Sequence, residues 1–128
     1  MTTKLTAKDV LHRYMDEDLP EFSGIDLIDV NQKGQYGNTP LDAAAVSGNV
    51  EEIEALLNGG ADPDIQGEHG CTPLYNAVAQ VHLEAVRLLL SRGAKPAIRS
   101  GFGDTPHERA LKKGLTEIAA LFQHLTDK

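Results

Sequence analysis

The stretch GCTPLYNAVA, Gly70–Ala79, is echoed on both sides, as GNTPLDAAAV from Gly37 and as GDTPHERALK from Gly103, each 33 residues away. At that offset Thr39, Thr72 and Thr105 coincide, then Pro40, Pro73 and Pro106, then Ala44, Ala77 and Ala110. Thr before Pro is a helix start with a mechanism. The hydroxyl caps a free backbone N–H, and Pro takes the first helical position, where no donor is missed. Asp42 and Glu108 stand three residues after their Thr and predict capping boxes, whereas Tyr75 breaks that pattern in the middle copy.

Outward from each echo, Gly48 or Gly114 marks a turn, and a second helix follows with apolar residues at helical spacing. These are Ile53, Leu56 and Leu57, then Val86, Leu89 and Leu90, then Ile118, Leu121 and Phe122. Glu51, Glu54, Glu84 and Arg87 fall on the opposite face. The second helices are predicted to end at Gly60 and Gly93, where a left-handed residue costs glycine little. ADPDIQGEHG and AKPAIRSGFG then read as extended, hairpin-like loops, because Pro63, Pro96, Gly67 and Gly70 oppose helix there. A unit of helix, turn, helix and loop has an apolar face that it cannot bury alone, so the units must stack as a solenoid.

The 33-residue period, G-x-T-P-L with a downstream Ala, and LLNGGADPD resemble the ankyrin repeat over residues 26–123. The resemblance implies an all-α solenoid forming one domain over 1–128, with an N-terminal cap at 1–25 and repeats at 26–69, 70–102 and 103–128, the last also the C-terminal cap. The chain departs from the family where Asp42, Tyr75 and Glu108 replace the usual His after T-P-L, where Val81 replaces the inter-helix Gly, and where His107 replaces Leu. LTAKDVLHRYMDEDLPEFSG reads as a degenerate capping unit: Thr6 and Asp9 cap a helix through about Tyr14, with Val10, Leu11, Tyr14 and Met15 on one packed side. Lys112, Lys113, Gln123, His124, Asp127 and Lys128 supply the polar surface of a terminal repeat, so a whole protein is expected.

Apolar residues at 41% and charged residues at 24% are ordinary soluble usage, while 5% aromatics and no Trp favour small-residue helix packing over a deep ligand cavity. A net charge of −7 disfavours direct contact with nucleic acid or anionic membrane and would attract a basic partner. The charge is uneven along the repeats. Residues 37–69 hold seven acids and no Lys or Arg, and residues 70–102 hold Glu84 against Arg87, Arg92, Lys95 and Arg99. Without a signal-like start or a long apolar run, and with Cys71 as the only cysteine, a cytoplasmic protein is expected.

Catalytic chemistry finds little support. Cys71 has His69 nearby but no orienting third group, and His12, His69, His82, His107 and His124 show no i, i+4 pair or second cysteine for zinc. SGFGDTP is a turn rather than a phosphate cradle. Glu51, Glu52 and Glu54 share one helix start, where they complement its dipole and are expected to face water. No catalytic, cofactor or metal site is expected.

The ankyrin resemblance implies a partner in the concave face made by loops and first helices. Projected here, it selects Lys33, Gln35, Tyr36, Asn38, Asp42, Val46 and Ser47 in the first full copy. In the second it selects Gln66, Glu68, His69, Cys71, Tyr75, Asn76, Ala79 and Gln80, and in the third Arg99, Phe102, Asp104, Glu108, Lys112 and Lys113. Tyr36, His69 and Phe102 share one repeat position and are expected as a row of rings. Tyr75 is expected to contact the partner, with truncation to Ala sparing stability. The function expected is non-catalytic binding by a protein that is monomeric when unbound. Small free-standing ankyrin proteins resemble bacterial immunity proteins, which implies inhibition of a basic toxin or nuclease. The alternatives are a self-associating or structural adaptor subunit and, more remotely, an enzyme or small-ligand binder around His69, Cys71 and Tyr75.

Overall fold

The computed structural model describes residues 4–17 and 19–126, with side chains to residue 123. His124, Asp127 and Lys128, assigned to the polar terminal surface, therefore lie outside the described side chains. The helices are α1 (Ala7–Asp16), α2 (Pro40–Ser47), α3 (Val50–Asn58), α4 (Pro73–Ala79), α5 (Leu83–Ser91), α6 (Pro106–Lys112) and α7 (Thr116–Thr126). Short 3-10 turns lie at Pro20–Phe22, after α1, and at Glu68–Gly70, before α4.

The caps follow the local chemistry. Thr39, Thr72 and Thr105 accept the backbone N–H of Asp42, Tyr75 and Glu108, and the boxes close where that residue is an acid. Thr6 and Asp9 close a third box at α1, which runs two residues beyond Tyr14. α2, α4 and α6 stack in one row, α3, α5 and α7 in a second, and α1 lies on α3. Between the rows, Leu41, Ala44, Leu74, Ala77, Val78 and Ala110 meet Ile53, Leu56, Val86, Leu89, Ile118 and Phe122 in one continuous core. Burying each of the larger of these side chains favours folding by about 1.5–3 kcal/mol. The small alanines let the first helices approach, as the low aromatic content predicted.

The loops project alike in all three units. Gly34, Gly67 and Ser100 each donate a backbone N–H, at 2.8 Å, to the carbonyl four residues on, closing a hairpin-like tip. Side chains of one loop then satisfy the backbone of the next. Asn31 accepts from the Asp62 N–H at 2.8 Å, Asp64 from the Lys95 N–H at 2.9 Å, and the Gln66 amide donates to the Arg99 carbonyl at 3.0 Å. Backbone groups that a strand would pair are thus paired sideways between repeats.

One site differs from expectation, and two departures from the family pattern are accommodated. Glu52 does not face water: it is 2% exposed, accepts the Tyr14 hydroxyl at 2.8 Å and pairs with Arg13, so α1 covers it. His107 takes the inward place of Leu and stacks on Phe122, with centroids 5.3 Å apart. Val81 adopts the left-handed backbone of its glycine counterparts, φ 61° against 73° at Gly48 and 67° at Gly114, although it is β-branched. The turn is therefore set by the stack rather than by that residue. His82, next in sequence, donates from Nε2 to the Val46 carbonyl at 2.9 Å. Its ring leaves no room for a Cβ at Gly48, which would stand 2.5 Å from it.

Candidate functional site

Stacking three first helices beside three loops leaves a concave face, and its centre is a groove of about 420 Å³. The floor is built by equivalent positions of α2 and α4: Asp42, Ala43 and Val46, then Tyr75, Asn76 and Ala79, with Arg109 following from α6. Glu68, His69 and Phe102 rise from the loops as one wall. Leu19, Pro20 and Glu21 close the first-repeat end.

Aromatic contacts shape the wall. His69 lies 5.4 Å from Phe102 and Phe102 6.4 Å from Tyr75, centroid to centroid. His69 holds a left-handed backbone, φ 59°, and its carbonyl accepts the Gly101 N–H at 2.7 Å, which pins the second loop to the third. Phe102 is 64% exposed, a large apolar ring turned to solvent. Tyr36, also exposed, gives its backbone N–H to Glu21 Oε2 at 2.7 Å. The ring contacts thus join His69, Phe102 and Tyr75.

Polar groups in the groove are mostly engaged internally. Asp42 accepts the Thr39 N–H at 2.9 Å and the Asn76 amide at 3.2 Å, and burial pushes its carboxyl up to about 7. Glu21 accepts the Asn38 amide at 2.6 Å, and Asn38 also reaches Glu68 at 3.3 Å. Tyr75 is 3% exposed and donates its hydroxyl to Asp104 at 2.9 Å, which also accepts the Ser100 hydroxyl at 2.8 Å. The expectation that Tyr75 can be truncated without loss of stability is corrected by that burial: the side chain is a structural link between the second and third repeats. Asp42 and Asp104 are likewise buried, so any contact they make is through the groups they hold in place.

Of the residues selected from the sequence, Asn38, Asp42, Val46, Glu68, His69, Cys71, Tyr75, Asn76, Ala79 and Phe102 come together at the groove. Arg99, Glu108 and Lys112 line a separate shallow cleft with Gly103 and Leu111. There Arg99 pairs with Glu108 at 3.0 Å. Lys33 and Gln35 are exposed on the first loop, where Lys33 reaches the Gln66 carbonyl and Gln35 the Pro20 carbonyl, and Gln80 is exposed at the end of α4. Ser47 donates to the Ala44 carbonyl, and Lys113 ends α6 in the open.

Sequence reasoning missed Leu19, Pro20, Glu21, Ala43 and Arg109. The Arg109 signal was present, since it stands 33 residues after the selected Asn76. Leu19–Glu21 lies outside the repeat period, so no register could place it.

A nucleophilic Cys71 is disfavoured by its surroundings: burial, with Asp42 and Asp104 adding to it, pushes the thiol up to about 11, the reverse of activation. Among the described residues no cluster of His, Cys, Asp and Glu is arranged to hold a metal ion, and no helix is long and apolar enough to cross a membrane. What the groove offers is a concave surface with aromatic and apolar walls and charge at both ends. No curated protein matches the chain. A family model described as ankyrin repeats (3 copies) matches residues 11–100 and 43–127.

Proposed function

The chain belongs to the ankyrin-repeat family, and from that premise we propose that it is a non-catalytic module that binds a partner protein in the groove between α2, α4 and the loop wall. One observation carries the reading: the exposed Phe102 ring and the apolar floor of Val46 and Ala79 face open space while the polar groups beside them are mostly satisfied. An interface core has that composition, with an aromatic anchor and few unpaired charges. The reading includes the division into a cap at 1–25 and repeats at 26–69, 70–102 and 103–128, a monomeric unbound state and action in the cytoplasm.

The narrower proposal is inhibition, as an immunity protein inhibits its toxin. The net charge of −7, concentrated on the first full repeat, supports a basic partner such as a nuclease domain, because opposite fields speed association. Affinity capture with the tagged chain tests both levels beside a groove-blocked Val46→Arg, Ala79→Arg control. A dominant partner that the control loses is expected, together with loss of that partner's own activity on adding the wild-type chain. A partner retained by the control sinks the groove reading, and an uninhibited partner sinks inhibition alone. Light scattering after gel filtration that gives a dimer mass favours the self-associating alternative.

A further inference from the structure

Along the stack, equivalent positions on the groove face change chemistry in register. Ala43 becomes Asn76 and then Arg109, Val46 becomes Ala79 and then Lys112, and Ser47 becomes Gln80 and then Lys113. The first-repeat end instead carries Glu21, Asp42 and Glu68. The concave face is therefore polarised, acidic at one end and cationic at the other.

The two ends also differ in what they leave unmet. Glu21, Asp42 and Glu68 all accept hydrogen bonds from Asn38, Thr39 or Asn76. At the other end Arg99 pairs with Glu108, and Lys112 lies 3.8 Å from Asp104. Arg109 pairs with no carboxylate among the described residues, and its Nε is buried without a hydrogen-bond partner. The Nε is closed off from solvent, so what Arg109 offers the groove is an unpaired charge, and the terminal N–H groups of a guanidinium match a carboxylate in two parallel bonds. The complement missing from the groove is thus an anion at Arg109.

We infer, on the reading that the groove binds protein, that it takes an internal partner segment in one direction, seating an Asp or Glu side chain on Arg109 and a neighbouring apolar side chain on the Val46–Ala79 floor beside Phe102. The segment is internal because the face runs on past Arg109 to Lys112 and Lys113, leaving room for chain beyond the carboxylate. A singly charged carboxylate also suits one guanidinium in a chain of net charge −7 better than a dianion. Direction follows from charge: the reverse orientation would bring the carboxylate against Glu21 and Glu68.

Display of random dodecapeptides on the immobilised full chain tests this, with parallel selections on Arg109→Gln and on Val46→Arg, Ala79→Arg. Peptides recovered on the wild type and lost on the blocked chain are expected to carry Asp or Glu at a fixed spacing from an apolar residue. Changing that acid to its amide in a synthetic peptide should weaken binding about ten-fold, and Arg109→Gln should do the same without adding to it. Arg109→Lys, which keeps the charge but not the fork, should fall between. Thermal melts are expected to match the wild type for both Arg109 variants, since no internal bond of the guanidinium is lost. Groove-dependent peptides without acid enrichment, or with equal affinity for Arg109→Gln, overturn the inference while leaving groove binding in place. An empty selection, or peptides that bind the blocked chain equally well, remove the groove reading and the inference with it.

Discussion

Tyr75 shows how one position changes the meaning of a repeat. Where Asp42 and Glu108 close capping boxes, Tyr75 sends its hydroxyl 29 residues onward to Asp104. Tyr75→Phe should therefore cost about 1–2 kcal/mol in urea unfolding, and Tyr75→Ala about 3–5 kcal/mol, because the second change also empties core volume. An Ala variant as stable as wild type would return the ring to the role of a surface contact. At Val81 the expected sign is opposite. A β-branched residue in left-handed backbone is strained by about 1–2 kcal/mol, so Val81→Gly should stabilise by roughly 1 kcal/mol after the entropy of glycine is subtracted. Asp42 predicts a pH dependence. Burial first, then the nearby Glu21 charge, raise its folded-state value to about 7, above that of an unfolded carboxyl. The native state then holds a proton that the unfolded chain has lost, so the Asp42 contribution is fully present below about pH 4 and is lost as pH rises to about 7. The melting temperature of wild type minus that of Asp42→Asn should fall between pH 5 and pH 8, and a flat difference would refute the assignment.

Among the elements, α1 is attached through a buried carboxylate of its neighbour. Its Tyr14 and Arg13 both serve Glu52 of α3, and Tyr14 also stacks on Phe22 at 5.9 Å, which ties the 3-10 turn to the same helix. Tyr14→Phe keeps the stack and removes one bond to a carboxylate, so a loss of about 1.5–3 kcal/mol is expected. Hydrogen exchange should show that loss most strongly in α1 and the first turn of α3, and uniform exchange changes across all helices would contradict a local attachment. The helices themselves were legible in the sequence because Thr caps, Pro at the first position and apolar spacing act within four residues. Glu52 was misplaced for the complementary reason. Its burial depends on α1, more than 35 residues away, and a run of acids at a helix start looks solvated until that partner is in place. Arg109 and Leu19–Glu21 show the same limit at the groove: one needed the register carried a step further, and the other lies where there is no register.

For the whole molecule, charge is the property with the longest reach. The acids of residues 37–69 face no Lys or Arg within their own segment, and although Arg13 and Lys4 pair with Glu52 and Glu54 from outside it, repulsion among the rest is expected to weaken the folded stack. Raising NaCl from 0.05 to 0.5 M, which shortens the Debye length from about 14 to about 4 Å, should raise the melting temperature by a few degrees. Glu51→Lys, on an exposed position, should reproduce part of that rise and blunt the salt response. A melting temperature that falls with salt would mean that attraction between the unlike segments outweighs repulsion within the acidic one. Leu19, Pro20 and Glu21 bear on shape rather than charge. They stand across the first-repeat end of the concave face, held by the bonds that Glu21 accepts from Asn38 and Tyr36. The face consequently carries a ledge at its first-repeat end, a fixed edge against which the register of a segment lying along the repeats is set.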